Sequence, residues 1–337
     1  MGWMAPLHDA VEADDVHTIR YLLLTKKGDP NGDDGGDWIP PLFLCKSAEA
    51  AGALLDAGAD ITHECKWGDT PGNPLHWAAA HGCVSVLDRL IAAGANVNRI
   101  SLYCYGRTPL HEAKSLACVV SLLRARADVN ALDNDRDTPL IIMAQSMPVE
   151  ATDALLLAGA WRNNENRWGA TALYVACVNS KYATARRLLS SGADPNRGEY
   201  FGQKTLHAAI GPDVGEDGQL LYSDDVIRDP MTAQNMLAWL GLIEALLHAG
   251  AEINHVNIFG CTPIMLTGEP MIIRLLLREG ADINLGNDEW KSDDWKATVN
   301  AVFADTRGLE YVQGREMGLA PTERWDYSAF GTEPRVE

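Results

Sequence analysis

The sequence predicts an all-α protein, a solenoid of stacked helix–turn–helix units. A glycine followed by Ala-Asp/Asn-x-Asn, or by a near relative, recurs with most steps close to 33 residues. A pair of aliphatic residues precedes nearly every one of these glycines, and a Thr-Pro-Leu-His motif or a variant opens most units. The copies begin at Gly28, Gly58, Gly94, Arg126 (in place of glycine), Gly159, Gly192, Gly250 and Gly280. Because the three signals use different residues, they support one repeating unit independently.

The segment 168–196 shows how one unit is built. Thr171 is a good N-cap for a first short helix, since its hydroxyl accepts an otherwise unpaired amide proton. The second helix carries the aliphatic pair Leu188-Leu189 and ends at Gly192, which suits the left-handed position after a helix. The apolar face of such a pair is too wide for either helix to cover. The units must therefore stack on one another.

The helix-start motifs occur in stronger and weaker forms. They are TPLH at Thr108, TPLI at Thr138, TALY at Thr171 and TPIM at Thr262, with APLH at Ala5, NPLH at Asn73 and weaker variants at Pro40 and Lys204. Together with the GADxN-like loops, these residues resemble the ankyrin repeat, whose hallmarks are T-P-L-H-x-A and a period of 33. The resemblance covers about Pro6 to Phe303. It implies an ankyrin-repeat solenoid: a curved stack of antiparallel helix pairs with hairpin-like fingers along one edge.

The expected organisation is one continuous array over residues 1–304, followed by a C-terminal cap extension or tail over residues 305–337. The step from Gly192 to Gly250 is 58 residues, so the seventh repeat contains an insertion, which we assign to residues 211–234 between its two helices. An insertion of this size is either functional or disordered. A ninth, degenerate repeat is predicted as the C-terminal cap, with a finger before a helix that starts at Thr298.

The charge and the cysteines narrow the classes of partner and the setting. The chain has 28 Lys and Arg against 46 Asp and Glu, a formal net charge of -18. We therefore expect no direct nucleic-acid ligand, and instead a protein partner, possibly one with a basic surface. No stretch has the length and apolarity of a membrane span. Seven cysteines without a CxxC pair favour a reducing, cytoplasmic setting, with Cys45 and Cys177 in the core.

The chain has none of the sequence signatures of an enzyme that we sought. GxSxG, a Walker loop, HExxH and a glycine-rich phosphate motif are all missing from the sequence. His63-Glu64-Cys65 resembles half of a zinc site, but a second pair at ligand spacing does not accompany it. We therefore predict no catalysis, no cofactor and no metal site. The resemblance implies that the histidines of the helix-start motif bond to neighbouring repeats: His8, His76, His111 and His207.

A recurring aromatic residue three positions before the helix-start residue is the main candidate site. The resemblance places this position on the finger, so successive aromatics would form a row. Either these rings stack finger on finger, or they form a ladder that binds a partner, with nearby arginines as companions. The candidate partner-binding residues are Trp67, Tyr105, Arg107, Arg136, Trp168, Phe201, Phe259 and Trp295.

Three functions are compatible with this pattern. The first is a non-catalytic interaction module or scaffold, expected to be monomeric, that binds a partner through its fingers and concave face. The second is an acidic decoy or inhibitor that occupies a basic, nucleic-acid-binding surface of another protein. The third is the substrate-recruiting part of an enzyme complex. The decoy hypothesis rests on the net charge and on these acidic clusters: Asp33-Asp34-Asp37, Asp133-Asp135-Asp137, Glu216-Asp217, Asp224-Asp225 and Asp293-Asp294.

Overall fold

The computed structural model describes residues 6–32, 39–65, 72–211, 213–214, 220–221, 233–287, 291 and 293–304. It confirms the all-α solenoid. The helices are α1 (Pro6–Glu12), α2 (Val16–Leu24), α3 (Ala48–Asp56), α4 (Pro74–Ala80), α5 (Val84–Ala92), α6 (Pro109–Glu112), α7 (Leu116–Arg124), α8 (Pro139–Ser146), α9 (Val149–Leu157), α10 (Ala172–Val178), α11 (Tyr182–Ser190), α12 (Thr205–Ile210), α13 (Ala233–His248), α14 (Pro270–Arg278) and α15 (Asp293–Ala304).

Two repeats have a short 3-10 turn where a first α-helix was expected. These turns are Pro41–Leu44 in the second repeat and Pro263–Leu266 in the eighth. Inside the insertion, Asp213–Val214 (β1) pairs antiparallel with Leu220–Leu221 (β2). These two-residue strands do not change the class of the fold.

The aliphatic pairs build one continuous core. Within each stack, first helices pack on first helices, as α8, α10 and α12 do, and second helices pack on second helices, as α7, α9 and α11 do. The first member of each pair is completely buried: Leu54, Leu90, Leu122, Leu155, Leu188, Leu246 and Leu276. Burying one leucine stabilises a fold by about 1.5–3 kcal/mol, so these residues account for the stacking that the period predicts.

The helix ends follow the predicted capping pattern. The Thr171 hydroxyl accepts the Tyr174 amide at 3.2 Å, and Thr138 caps α8 in the same way. Gly192 has a φ of 91°, in the left-handed region that glycine adopts without strain. Arg126 adopts a φ of 65° at the corresponding place in the fourth repeat, although it carries a Cβ. This conformation costs a non-glycine residue about 1–2 kcal/mol.

The C-terminal cap differs from the prediction. Helix α15 begins at Asp293, not at Thr298, and so includes Trp295, which was assigned to a finger. The Trp295 indole is buried and donates a hydrogen bond to the Ile264 carbonyl at 3.0 Å. Trp295 therefore packs in the core against the eighth repeat and not on a finger. The predicted tail, residues 305–337, lies outside the described residues, and the predicted domain boundaries stay a prediction.

The second helix of the seventh repeat is longer than the helices around it. Helix α13 begins at Ala233, within the last two residues of the predicted insertion, and runs for 16 residues. Its Trp239 side chain is 2% exposed and donates from the indole to the Ala209 carbonyl at 2.6 Å. This bond ties α13 to α12, so the two helices of the seventh repeat remain a pair although the chain between them is long.

Candidate functional site

An asparagine at the end of most glycine motifs bonds adjacent repeats together. Asn196 donates from Nδ2 to the Gly250 carbonyl at 2.9 Å and accepts the Glu252 amide at 2.8 Å. Asn31, Asn98, Asn130 and Asn254 make the same two kinds of bond. Two of the remaining motifs differ: Asn163 only accepts the Asp194 amide, at 2.9 Å, and the second motif has Thr62 in place of asparagine. This ladder sets the spacing at which the fingers follow one another.

The motif histidines also join repeats, as the resemblance implied. The Nε2 of His76 donates to the Arg107 carbonyl at 3.0 Å, and that of His111 to the Asp137 carbonyl at 3.1 Å. His8 and His207 bond in the same way to Ile39 and Cys261. Burial lowers the pKa of His76, His111 and His207, the last to about 4. These imidazoles are therefore neutral structural groups near pH 7.

The fingers are bonded to one another through their backbones. The Asn134 amide donates to the Tyr105 carbonyl at 2.7 Å, and the Tyr200 amide donates to the Trp168 carbonyl at 2.9 Å. Equivalent bonds join the Arg167 amide to the Asp135 carbonyl and the Ile258 amide to the Phe201 carbonyl. The fingers therefore form a continuous edge, which holds their side chains in fixed register.

A buried polar side chain closes several fingers from within. The Asn166 Oδ1 accepts the amides of Trp168 and Ala170 at 3.0 and 2.9 Å. Asp133 and Asn257 occupy the same place and each accept two amides of their own finger. The finger backbone is thus fully bonded near its base. The backbone that carries Trp168 and Phe259 is therefore held by bonds within its own finger.

The predicted aromatic row contains two kinds of contact. Tyr105 is 63% exposed and Trp168 is 45% exposed, and the guanidinium carbons of Arg107 and Arg167 lie 5.6 and 5.2 Å from the respective ring centroids. These are cation–π distances. Phe201 and Phe259, in contrast, are half-buried and pack on each other with their centroids 5.9 Å apart. Stacking of one finger ring on the next therefore occurs at Phe201 and Phe259, whereas a binding role for Tyr105 and Trp168 stays a prediction.

The arginines and the outer aromatics of the predicted site have different environments. Arg107 pairs with Glu112 at 3.3 Å and with Asp133 at 3.2 Å, so its charge is already engaged inside the array. Arg136 is exposed, and it makes no ion pair within the described part of the chain. Trp295 is 7% exposed in α15, so the expectation that it continues the finger row is wrong. Trp67 lies outside the described residues.

Sequence reasoning missed two strongly exposed apolar residues of the fingers. Tyr200 is 71% exposed and Ile258 is 65% exposed, each directly before a residue of the predicted row. The sequence does contain a signal for them, because the corresponding residues of the two preceding fingers are polar, Asn134 and Arg167. An apolar residue at this position therefore indicates an exposed apolar side chain. We call the exposed apolar set of the fingers the finger ridge. It comprises Ile100, Leu102, Tyr103, Tyr105, Leu132, Trp168, Tyr200, Val256 and Ile258.

The acidic cluster of the fifth finger is structural. Asp133 is buried and bonded to its own finger, and Asp135 pairs with Arg167 at 2.8 Å. Asp137 is also buried and accepts from the Asn166 side-chain Nδ2 at 3.0 Å, while burial raises the pKa of its carboxyl. This cluster therefore does not form the free acidic surface that the decoy hypothesis needs. The other clusters lie outside the described residues or, for Asp293-Asp294, have no described side chains.

The possible zinc half-site at His63-Glu64-Cys65 lies within the described residues. Glu64 pairs with Arg99 at 2.7 Å, so its carboxylate is engaged. In the described part of the chain, no three His, Cys, Asp or Glu side chains gather as metal ligands do.

Burial raises the pKa of Cys45, to about 12, and that of Cys177, so both thiols are protonated core residues. None of the described helices has the length and apolarity to cross a bilayer.

The comparisons with known proteins agree with this architecture. A family model described as ankyrin repeats matches residues 42–133 and 113–199. Ankyrin repeat protein nuc-2 of Neurospora crassa is 27% identical over 299 residues, covering 83% of this chain and 25% of that protein. Neurogenic locus notch homolog protein 1 of Mus musculus is 27% identical over 188 residues, covering 48% of this chain and 7% of that protein. The chain thus spans at most a quarter of the length of these relatives.

A solved structure shows the same fold. The human ASB11 ankyrin repeat domain superposes with a TM-score of 0.57 and 20% sequence identity, covering 73% of this chain and 98% of that one. Fold and finger ridge together define an α-solenoid repeat protein of a class that generally mediates protein–protein interaction. The chain contains ankyrin repeats over residues 42–199 and has the fold of an ankyrin-repeat domain.

Proposed function

We propose that this chain is a non-catalytic binding module that holds a partner protein on the finger ridge and the adjoining first helices. One observation carries the proposal. Backbone-bonded fingers present large apolar side chains to solvent, with Tyr105, Trp168, Tyr200 and Ile258 between 45% and 71% exposed. Contiguous exposed apolar surface of this kind marks interaction sites in soluble proteins.

The size of the ridge suits a protein partner. A standard interface uses roughly 20–30 residues from each side. A repeat presents only about four or five residues from its finger and first helix, so a stable partner would span about five repeats. The ridge extends from Ile100 to Ile258, which covers that span. Because the finger backbones are already bonded, little ordering entropy opposes binding, and this raises affinity.

The ridge also indicates where the binding energy would lie. Trp, Tyr and Arg dominate protein interfaces, and the ridge contains Trp168, Tyr200 and Tyr105, while the exposed Arg136 lies on the fifth finger. The net charge of -18 would speed association with a partner whose rim is basic. We further propose a monomer in a reducing, cytoplasmic setting. The described cysteines are all free, and most are buried.

The test uses a ridge variant and a matched off-ridge variant. The ridge variant carries Trp168→Ala, Tyr200→Ser and Ile258→Asn. The control carries Leu24→Ser and Leu237→Ser, which remove exposed apolar side chains from second helices, 84% and 54% exposed. Both variants should keep the thermal midpoint within a few degrees of the parent.

Partners are captured from the native lysate, identified by mass spectrometry, and their dissociation constants are then measured with purified proteins. We expect the ridge variant to lose at least about tenfold in affinity, since two or more interface residues of this kind each contribute over 1 kcal/mol. The control should bind like the parent. Undiminished binding by the folded ridge variant would reject this surface.

The overall charge supports a second candidate, an acidic inhibitor that occupies a basic, nucleic-acid-binding surface. Its affinity should fall steeply as salt is raised past 0.15 M, because the screening length shortens to a few ångströms. Binding through the ridge should lose only the part that a basic rim contributes, so its affinity should fall much less over the same range. A salt titration with the captured partner therefore separates the two candidates.

A further inference from the structure

The fifth repeat departs from the others at its glycine motif. In five of the seven other copies the second residue after the glycine position is polar, and its side-chain oxygen accepts the amide two residues further on at 2.8–2.9 Å. The residues that make this bond are Asp60, Asn96, Asp128, Asp194 and Asp282. The fifth repeat has Trp161 instead, which has no acceptor oxygen in its side chain. The bond that stabilises this turn elsewhere is therefore lost here.

The next residue of the fifth repeat is charged where the other repeats have an apolar residue. Arg162 stands where other repeats have a half-buried aliphatic residue or proline: Ile61, Val97, Val129, Pro195, Ile253 and Ile283. Trp161 is 54% exposed and Arg162 is exposed as well. Leu157, at the end of α9, is 86% exposed where other repeats mostly have a polar residue or alanine. One turn therefore carries three departures, and none of them improves the packing of the repeat.

The exposed groups of this turn are hydrogen-bond donors. An open depression of about 510 Å³ is lined by residues 159–164. Within the described part of the chain, neither the Arg162 guanidinium nor the Trp161 indole N–H has a partner. The Asn163 Nδ2 is also without an acceptor among the described residues, although its counterparts at most other repeats donate to a glycine-position carbonyl. A ligand for this depression has to supply acceptors.

The charges around the depression are positive. Arg126 occupies the place of Gly159 one repeat earlier, about 10 Å away by the usual spacing of packed helices. Arg126 and Arg124 are both exposed, and neither forms an ion pair in the described ranges. Of the nearby acids, Asp194 pairs with Arg197 at 3.5 Å, while Asp128 accepts the Asn130 amide and keeps its charge. Three arginines therefore face one uncompensated carboxylate. The local surface is thus basic on a chain whose net charge is -18.

We propose that this surface binds a short acidic peptide segment of a partner protein. We call it the Trp161 patch, and define it as Trp161, Arg162, Asn163, Arg124 and Arg126. An apolar residue of the peptide packs on the exposed face of the indole, and its carboxylates accept from the guanidinium and carboxamide donors. A long polyanion is disfavoured, because the rest of the chain is strongly acidic and repels it. The patch lies on the loops that follow the second helices, so it is separate from the finger ridge.

The test uses fluorescence anisotropy with a labelled 12-residue peptide in which Glu alternates with Leu and Phe. A matched peptide has Gln in place of Glu. The double variant Trp161→Asp, Arg162→Val restores the residue types found in the other repeats. It should lose at least tenfold in affinity for the acidic peptide. Its thermal midpoint should rise, since the new carboxylate accepts the Asn163 amide and the valine packs on the core.

The controls separate this proposal from the ridge proposal. The ridge variant described above should bind the acidic peptide like the parent, whether or not the ridge itself proves to be a binding surface. The proposal is overturned if the parent does not bind the peptide, if the double variant binds it equally well, or if the Gln peptide binds as tightly. A lower thermal midpoint in the double variant would mean that Trp161 and Arg162 stabilise the fold, which contradicts this proposal. Equal competition by a single-stranded DNA 12-mer would assign the patch to nucleic acid instead.

Discussion

The asparagine ladder allows a quantitative test of how the repeats are held together. In Asn196→Ala, the sixth repeat loses two bonds to the seventh, one to the Gly250 carbonyl at 2.9 Å and one from the Glu252 amide at 2.8 Å. A typical intramolecular hydrogen bond contributes about 0.5–1.5 kcal/mol. The groups left behind are exposed and reach water, so no burial penalty is added. We expect the free energy of unfolding to fall by about 1–3 kcal/mol.

Asn163→Ala is the matched control at the preceding interface. Asn163 makes a single bridging bond, from the Asp194 amide at 2.9 Å, so its removal should cost about half as much. Both variants are unfolded in urea and followed by far-UV circular dichroism. In a repeat array each unit depends mainly on its neighbours. The Asn196 variant should therefore also show a broader transition, as the two parts of the array begin to unfold separately.

Two results would refute this reasoning. The first is an equal loss in both variants, because the loss should follow the number of bonds removed. The second is a loss in Asn196→Ala below about 0.5 kcal/mol, which would mean that water replaces both bonds at no cost. A change in the slope with urea, without a change in the midpoint, would show altered cooperativity and not weaker bonding.

Three further predictions concern single residues. Burial lowers the pKa of His207 from 6.5 to about 4, so the unfolded chain binds more protons than the folded one between these pH values. The free energy of unfolding should therefore fall by up to about 3 kcal/mol as pH drops through this range. His207→Gln should flatten this pH dependence, measured by urea unfolding at a series of pH values. Arg126→Gly should raise the free energy of unfolding by about 0.5–1 kcal/mol, since glycine adopts a φ of 65° without strain; unchanged stability would contradict this. Trp295→Ala should lower the local stability of the C-terminal cap by about 3–5 kcal/mol, measured as faster hydrogen exchange in α14 and α15. Trp168→Ala removes an exposed ring and should lower stability by less than about 1 kcal/mol. Equal losses in the two variants would contradict the difference in burial.

The repeat architecture could be predicted because its signals are local. Thr171 caps the helix that follows it, Gly192 ends the helix that precedes it, and Leu188 lies at helical spacing within its own element. Each of these effects acts over a few residues. The histidine bonds were also predicted correctly, because the resemblance supplied the partner repeat that the isolated residues do not reveal.

The candidate site could be predicted only in part. The aromatic position placed Tyr105 and Trp168 on exposed fingers as expected, but the same spacing also selected Trp295, which is buried in α15. Whether a ring faces solvent depends on residues about one repeat away, such as the Ile264 carbonyl that accepts from the Trp295 indole. Spacing within one unit carries no information about that contact.

The sequence by itself determined the class of fold, the period, the helix ends and the core leucines, because helix periodicity and capping are properties of neighbouring residues. The tertiary structure alone decided which charged and aromatic residues remain available to a partner. It engaged Arg107 with Glu112 and Asp133, and it left Tyr200 and Trp161 exposed. The physical reason is that solvent exposure and ion pairing are set by side chains from adjacent repeats, which stacking brings together from about 30 residues apart.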